Sequence, residues 1–570
     1  MRPLLIVALS LILGISASAQ SSSLKAQGDA VQLEVDGRPF LVLGGELGNS
    51  SAACPLDIEE NFAKLRRMGL NTVLVPAYWD LLEPVEGQFD FSLTDKVLEE
   101  ARRNGLKVIF LWFGAWKNSM SCYAPLWFKV DYKKYPRAYT REGKPLEIAS
   151  AFSENVFQAD NKAFTTWLRH IAEADRDFGT VIMIQIENEI GMLEDARDHS
   201  RTAERLFRSE VPSELTDYLC ANRAELHPYM SGKWEENGAK TVGSWENVFG
   251  EGIYTDEIFM AWHYASYVER MARSAREIYD VPLFVNAAMK SRGRRPGEYP
   301  SAGPLAHLID VWHCAAPSVD FIAPDLYDDG FKGWTAQYHL HNNPLFIPEI
   351  RHTQNNGVRA FYVFGEHNAL GFSPFAIEDG SDEQGTPFVE GYEKLREIMP
   401  LVTGWQGKDA MWGLLFDQND KERIIEDGSL VLTCRHNFTL PWDPRATDGS
   451  VWPEGGGIII RIAENEYIVA GNGIVVEFAT ASEKAFGKAA ESLGEDGFAS
   501  AGSKGTGTPG RKAWKGTRCG IGSVDEVKVN ADGSFSYIRR LNGDQDHQGR
   551  HVRIPVGDYK TLYVRLYEYQ

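Results

Sequence analysis

The chain has 570 residues, of which 43% are hydrophobic, 24% charged and 12% aromatic, and its formal net charge is −20. This ordinary globular balance excludes a wholly disordered chain, a collagen and a coiled coil. Such an acidic protein is a poor candidate for sequence-independent binding to phosphate backbones, so we expect no nucleic-acid partner.

The first 19 residues have the pattern of a secretory signal peptide. Arg2 supplies a positive charge, and residues 4–15 form an apolar run that is too short to span a bilayer comfortably. Ala17-Ser18-Ala19 then gives a small-x-small cleavage pattern. We therefore expect an exported protein, periplasmic or extracellular, whose mature form has no membrane segment. A retained N-terminal anchor is the alternative.

The sequence contains no convincing metal or cofactor motif. Its six cysteines lie far apart without a CxxC pair, so a zinc knuckle is unsupported, and both disulfides and free thiols remain open. Residues 505–510 match GxGxxG by letter only, because no predicted strand precedes them. His339 and His341 are the only close histidine pair, and no carboxylate framework surrounds them. We expect no metal and no cofactor.

A hairpin is the first predicted element. Residues 31–35 alternate between apolar and polar side chains, Asp36-Gly37 predicts a tight turn, and the alternation resumes at Phe40. A helix follows over 57–68, with an apolar stripe and capping-box spacing between Asp57 and Glu60.

Eight strand segments then alternate with amphipathic helices. These strands are continuous apolar runs, which is typical of a parallel sheet covered by helices on its faces. The sequence therefore predicts an α/β fold with a (β/α)8 TIM barrel over 20–400, hairpin included, and an open doubly wound sheet is the alternative. The predicted strands are the one that ends at 44–46 and those at 70–76, 106–113, 180–189, 281–287, 319–327, 343–350 and 371–379.

The pattern changes after about residue 400. Alternating segments separated by turn residues follow a last helix, and they predict a smaller antiparallel, sandwich-like β domain over 411–570.

Catalytic groups of a barrel lie where the strands end and the βα loops begin. The predicted strand ends are rich in carboxylates, amides and aromatic rings, and they contain neither a Ser/His pair nor a metal cluster. Two facing carboxylates suit glycoside hydrolysis, in which one acid protonates the leaving oxygen and the other attacks or activates water. Glu189 and Glu349 end the fourth and seventh strands, so they can face each other across the barrel mouth.

Three segments carry a resemblance to a known family. VIMIQIENEIG resembles the strand-four motif of glycoside hydrolase family 35, the β-galactosidases, within clan A of retaining (β/α)8 hydrolases. YWDLLEPVEGQFDF and NPLFIPEIR resemble that family's strand-two and nucleophile segments. The resemblance covers residues 30 to about 400, and the β domain resembles the small C-terminal domain of a bacterial branch.

The resemblance assigns roles to individual residues. It implies that Glu189 is the general acid/base, that Glu349 is the nucleophile, that Asn188 binds the sugar 2-hydroxyl and that Tyr327 orients Glu349. The other residues that we expect to contact substrate are Trp116, Lys117, Asn118, Glu46 and Asn286.

Alternatives remain at several of these positions. Strand alternation would point both Glu187 and Glu189 inward, and the family pattern assigns the acid to Glu189, which leaves Glu187 a structural role and an arginine partner. Glu349 could instead be an ion-pair partner of Arg351. Trp116 could be core, and Lys117 and Asn118 could be solvated loop residues. Glu46 could hold the hairpin, and Asn286 could cap a helix.

The chain also departs from the family pattern in the loops that hold the terminal sugar. The family's His-Tyr-x-Arg run reads Glu46-Leu47-Gly48-Asn49 here, and its strand-three run is replaced by 114–118. The mechanism therefore transfers better than the substrate. We predict a retaining exo-β-glycosidase, first of all a β-galactosidase acting on plant-derived oligosaccharides such as those of xyloglucan. Another clan A activity and a catalytically dead carbohydrate-binding protein are the alternatives, and a homodimer is left open.

Overall fold

The computed structural model describes residues 22–290, 292–380, 385–440, 442–486, 515–543 and 545–570. The predicted signal peptide at 1–19 and the GxGxxG-like match at 505–510 lie outside these ranges. Within them, no helix combines the length and the apolar character needed to cross a membrane. The six cysteines, all in described ranges, form no disulfide.

The strands and helices alternate in the first two thirds of the chain. In chain order, the strands up to residue 374 are β1 (Ser22–Gln27), β2 (Ala30–Val35), β3 (Arg38–Phe40), β4 (Val42–Leu43), β5 (Thr72–Tyr78), β6 (Lys107–Phe113), β7 (Arg137–Tyr139), β8 (Pro145–Ala149), β9 (Val181–Gln185), β10 (Leu283–Ala288), β11 (Phe321–Leu326), β12 (Phe346–Ile350) and β13 (Gly371–Pro374).

The remaining strands are β14 (Met411–Phe416), β15 (Glu422–Asp427), β16 (Leu430–His436), β17 (Gly455–Ala463), β18 (Glu466–Asn472), β19 (Ile474–Thr480), β20 (Arg518–Val529), β21 (Phe535–Arg540), β22 (Val552–Ile554) and β23 (Lys560–Tyr569). The α-helices are α1 (Pro55–Arg67), α2 (Trp79–Leu82), α3 (Ser92–Asn104), α4 (Leu126–Val130), α5 (Glu154–Ala174), α6 (Arg201–Phe207), α7 (Ser213–Ala221), α8 (Pro228–Glu236), α9 (Trp245–Phe249), α10 (Ile253–Arg276), α11 (Ile309–Ala315), α12 (Phe331–Tyr338), α13 (Asn356–His367), α14 (Pro387–Trp405) and α15 (Ala481–Phe486).

Eight parallel strands form the barrel, which confirms the predicted fold class. Their order is β4-β13-β12-β11-β10-β9-β6-β5. Glu46, just beyond β4, forms parallel bridges to Leu74 of β5 and to Phe375 beyond β13, so the ends of the sheet meet. The carboxyl ends of all eight strands therefore surround one mouth, where a barrel of this type carries its functional groups.

Two barrel strands are shorter than predicted. The fourth ends at Gln185 rather than at residue 189, because Glu187 and Glu189 take left-handed backbone angles (φ of 57° and 45°). The eighth ends at Pro374 rather than at residue 379. Ala376, at φ 48°, turns the chain there into a short 3-10 helix.

Helix α1 shows why the predicted helices form. Its stripe Ile58, Phe62 and Leu65 is fully buried against the barrel, as the 3.6-residue period predicts. The helix begins at Pro55 rather than at the predicted capping box, because proline fits the first turn, where its missing N–H is not needed.

The antiparallel part consists of two sheets. The larger has the order β14-β17-β18-β23-β20-β21, and the smaller has the order β15-β16-β19-β22. One face of the larger sheet belongs to the barrel's own hydrophobic core, which includes Ile458, Ile460 and Ile468. The contact is made by helix α13, where Gly365 approaches Gly413 of β14 so closely that a Cβ at Gly365 would lie 2.9 Å from the Gly413 Cα atom.

Candidate active site

Three carboxylates meet at the barrel mouth. Glu189 follows β9, Asp325 belongs to β11 and Glu349 belongs to β12. One oxygen from each side chain lies within 4.8 Å of the other two. Glu189 and Glu349 are 5% and 4% exposed, so little water surrounds the pair and their electrostatic interaction is strong. The structure thus brings together the two residues that the sequence singled out from positions 160 residues apart.

Backbone conformation separates Glu189 from Glu187. In a regular strand both side chains would share one face, but each residue has a left-handed φ that interrupts the alternation. The Glu187 carboxylate accepts a hydrogen bond from the Trp116 backbone N–H (2.8 Å) and faces Asp160, behind the site. The predicted arginine partner of Glu187 is therefore wrong, because the partner is another acid.

The Glu187–Asp160 pair is an acid cluster in the core. Burial, together with the charge of Asp160, raises the pKa of Glu187 well above its usual range. Asp160 also accepts hydrogen bonds from the Trp112 indole N–H (2.9 Å) and from the Tyr267 hydroxyl (2.8 Å). The raised pKa values of Glu187 and Asp160 favour a proton on this pair of carboxyls.

Amides fix the position of Glu189. The Asn118 side chain donates a hydrogen bond to its carboxylate, and the Asn286 side-chain oxygen accepts one from its backbone N–H (2.9 Å). The Asn286 amide also donates to Asp325 (2.6 Å), so it links two of the three carboxylates. Asn118 and Asn286 thus lie in the predicted site, and Asn286 does not cap a helix.

Glu349 is held by neighbours that affect its protonation. The Tyr327 hydroxyl donates a hydrogen bond to its carboxylate. Burial and the charge of Glu189 raise the pKa of Glu349 to about 7, while the Lys117 ammonium group and hydrogen bonds from Tyr327 and Glu46 oppose that rise. These three neighbours therefore favour the ionised form that a nucleophile needs.

Glu46 lies beside Glu349 and is 1% exposed. Burial, and then the charge of Glu349, raises the pKa of Glu46 well above its usual range, so Glu46 can donate a proton in its hydrogen bond to Glu349. Its Oε1 atom is buried without a hydrogen-bond partner. Its main chain bridges Leu74 and Phe375 and so closes the barrel, while its side chain faces Glu349.

Asp325 is the acidic residue that sequence reasoning missed. Its place at the end of the sixth strand was the available signal. Burial and the charges of Glu349 and Glu189 raise the pKa of Asp325 well above its usual range. The carboxyl cluster therefore holds protons that isolated acids would release.

Asn188 carries an amide group without partners. Its side-chain oxygen and nitrogen are both buried and unpaired, and the residue directly precedes Glu189. A buried amide that lacks hydrogen bonds costs about 1–3 kcal/mol, so a hydroxyl-bearing ligand would stabilise it. The backbones of Asn188 and Lys117 also form a parallel β-bridge. The Lys117 ammonium group lies 5.1 Å from the centre of the Phe113 ring.

Two expectations about neighbouring residues do not hold. The Trp116 side chain is fully buried, with edge-to-face contacts to Tyr264 and Tyr267, so it has no open face for a sugar ring and instead packs behind the site. Arg351 forms no ion pair with Glu349. It is exposed and turns towards Tyr327, where its guanidinium group lies 3.4 Å from the backbone carbonyl.

The three carboxylates are also close enough to bind a cation. A hard cation needs six or more oxygen ligands. Here the surrounding groups are the donors Asn118, Asn286 and Tyr327 and the cation Lys117. This set of neighbours favours shared protons over a metal ion.

Comparison with known proteins relates part of the chain to β-galactosidases. Residues 55–226 match a family profile described as "Beta-galactosidase" (glycoside hydrolase family 42), and residues 388–553 match a "Domain of unknown function (DUF5597)". A stretch of 209 residues is 29% identical to a β-galactosidase of Xanthomonas manihotis. It covers 35% of this chain and 32% of that protein, so the match spans about a third of the relative's length.

Solved structures that are similar to this chain have lower identity. A β-galactosidase from G. stearothermophilus is 16% identical, with a TM-score of 0.44, over 68% of this chain and 59% of the other. A β-galactosidase from the haloarchaeon Halorubrum lacusprofundi is 16% identical, with a TM-score of 0.42, over 62% and 58%.

These findings correct the family suggested by the sequence motifs. The matching profile is that of family 42 and not of family 35. The segment that contains Asn188 and Glu189 is therefore β-galactosidase-like, within a (β/α)8 barrel that antiparallel sheets follow.

Proposed function

We propose that the protein is a retaining β-glycosidase, and first of all a β-galactosidase that releases terminal galactose from oligosaccharides. The observation that carries the proposal is the approach of Glu189, Asp325 and Glu349 within 4.8 Å. Retaining enzymes separate their two carboxyl groups by about 5–5.5 Å, whereas inverting enzymes need about 6.5–9.5 Å to admit a water molecule. The relative identified by sequence is itself a β-galactosidase.

The proposed reaction has two displacements. Ionised Glu349 attacks the anomeric carbon while Glu189 gives its proton to the leaving oxygen, so a glycosyl–enzyme ester forms and the glycosidic bond breaks. Glu189, now ionised, then takes a proton from water, whose oxygen attacks the same carbon and releases Glu349. The unpartnered Asn188 amide supplies a hydrogen bond to a sugar hydroxyl, and Tyr327 holds the nucleophile in place.

The test uses an aryl β-galactoside with Glu349→Gln and Glu189→Gln. We expect Glu349→Gln to remove turnover, because an amide cannot form the ester, and we expect NMR of the first product to show the β-anomer. Near-normal turnover by Glu349→Gln, or an α-anomer as first product, would contradict the proposal. A panel of aryl glycosides identifies the preferred sugar. Oligosaccharide binding without turnover on every member would indicate a carbohydrate-binding protein.

A further inference from the structure

A large groove lies between the barrel mouth and the antiparallel sheets. Its volume is about 970 Å³, near the upper end of the roughly 300–1,000 Å³ that is typical of small-molecule sites. One wall comes from the loops after β11 and β12 and from the start of helix α12. The other comes from the end of β14, the loop that follows it, and Glu454.

The groove begins at the proposed catalytic site. Tyr327 lines it and is 38% exposed, and the hydroxyl group of the same side chain donates its hydrogen bond to Glu349. Arg351, one residue beyond the seventh barrel strand, lines it as well. Tyr327 therefore lies between the groove and Glu349, so a ligand in the groove and one at Glu349 would contact the same side chain.

Ion pairs hold the two walls in a fixed relation. Lys332 of helix α12 pairs with Asp420 of the β14–β15 loop (2.6 Å). Arg359 of helix α13 forms two hydrogen bonds to Glu454, each of 2.6 Å. The groove is therefore preformed, which lowers the free-energy cost of binding a ligand.

The unpaired polar groups of the groove suit hydroxyls. Asp328 Oδ2 is buried without a hydrogen-bond partner, and the exposed Asn419 lines the opposite wall. Apart from the two ion pairs, the charged residues that line the groove are Asp328, Asp329, Asp417 and Arg351. This excess of negative charge disfavours an anionic ligand. Among the described residues, the acids of this groove do not converge into a metal-binding group.

We propose that this groove binds the further sugar units of a neutral oligosaccharide whose reacting unit lies at Glu189 and Glu349. The inference rests on the proposed glycosidase function and gives its substrate class: a chain of several sugars rather than a simple disaccharide. It also gives the antiparallel domain a role, because residues such as Asn419 form one wall of the groove.

The test fills the groove with a large side chain. Gly333 lines it, and a Cβ at this position would meet no atom within 4 Å, so a side chain introduced here meets no obstacle where it leaves the backbone. Gly333→Ala is the matched small substitution. Gly404→Trp places the same ring on another open helical glycine, in α14, outside the groove.

The readout is a ratio of two activities. With β-1,4-linked galactotetraose we expect kcat/KM of Gly333→Trp to fall about tenfold, which corresponds to about 1.4 kcal/mol. With 4-nitrophenyl β-galactoside, which is too short to enter the groove, we expect no change, and both control variants should match the parent on both substrates. Equal effects on the two substrates, or no effect on either, would overturn the inference.

A binding measurement tests the groove separately from the proposed activity. Calorimetry with Glu349→Gln and galactotetraose should show binding that Gly333→Trp weakens in the same background. Absence of turnover in the parent with retained, Gly333-sensitive binding would reject the glycosidase proposal alone. Turnover with binding that is insensitive to Gly333→Trp would reject the groove alone.

Discussion

At the scale of single residues, the orientation of two glutamates determines the site. Glu187 and Glu189 are two positions apart, yet one faces Asp160 in the core and the other faces Glu349. The left-handed backbone at both positions produces this difference. Non-glycine residues in that region carry a conformational cost, and such residues gather at functional sites, where surrounding contacts hold them.

The two glutamates should respond differently to the same change. Glu187→Gln keeps an acceptor for the Trp116 N–H and gives Asp160 a donor, so we expect kcat to fall less than tenfold. Glu189→Gln removes the proton that the leaving group needs, so we expect a loss of about 10²–10⁴ on an unactivated galactoside. Steady-state kinetics on lactose provide the measurement, and the reverse order of severity would contradict the assignment.

The Glu187–Asp160 pair should also affect stability against pH. Because the folded pKa of Glu187 is raised, the folded state keeps a proton that the unfolded chain releases above its ordinary value of 4.5. The free energy of unfolding therefore falls as pH rises above that value. In Glu187→Gln we expect the melting temperature to fall less between pH 5 and pH 7 than in the parent. An identical slope in both proteins would show that the pair is not protonated.

Lys117 should set the acid limb of the pH–rate profile. Its charge lowers the pKa of Glu349, which burial and Glu189 raise to about 7. In Lys117→Met that opposing charge is lost, so the acid limb of kcat/KM should move to higher pH by about one unit. Because the carboxyls titrate together, the pKa read from this limb belongs to the coupled group and not to Glu349 alone. Lys117→Arg keeps the charge and should leave the limb in place. A limb unmoved in Lys117→Met would remove Lys117 from this role.

The sequence allowed us to predict which residues lie at the barrel mouth, because their position on a strand determines this. Strand ends placed Glu189, Glu349, Asn188 and Tyr327 at the barrel mouth, whereas the family resemblance was needed to prefer Glu189 to Glu187 and to assign each residue a role. The direction of Glu187 and the burial of Trp116 could not be predicted, because both depend on local backbone angles and on packing partners from distant helices.

At the scale of elements, periodicity predicted which segments form helices and strands, and it predicted their ends less well. Helix α3 ends at Asn104, and Gly105 directly after it takes a left-handed conformation (φ 64°). The first strand β1 was not predicted, because its sequence SSLKAQ is mostly polar and pairs with β2 at the edge of a small sheet.

Gly105 allows a test of helix termination. A Cβ at this position meets no atom, so Gly105→Ala changes only the backbone preference, and we expect a loss of about 1 kcal/mol and a lower melting temperature. Gly404→Ala, in the last turn of helix α14 and equally open, should be neutral or stabilising. Differential scanning calorimetry compares the two, and equal shifts would argue against strain at Gly105.

At the scale of the whole molecule, the barrel and the antiparallel sheets share a core. Helix α13 contacts both β14 and β17, and Ile458, Ile460 and Ile468 of the sheet belong to the barrel's hydrophobic cluster. The change from parallel to antiparallel strands was visible in the sequence. The shared core was not, because it depends on glycines whose close approach has no periodic signature.

Gly413 allows a test of this shared core. A Cβ at Gly413 would lie 2.3 Å from the Tyr362 carbonyl oxygen, so Gly413→Val should force α13 away from β14. Overpacking of this kind costs about 1–3 kcal/mol, and we expect a lower melting temperature or a second unfolding transition in calorimetry. Gly404→Val introduces the same side chain in open space and should have neither effect. Similar melting curves for both variants would contradict the close packing.

The placement of helix α13 limits where the gene can be divided between the barrel and the antiparallel sheets. The profile of the domain of unknown function starts at residue 388, inside the last barrel helix, and not at the loop before Met411. A gene truncated at that loop would encode a barrel in which helix α13 exposes glycine and apolar side chains to water. Such a surface is prone to aggregation. Recombination that exchanged the sheets alone would meet the same penalty, so we expect lineages to transmit the end of the barrel and its β domain together.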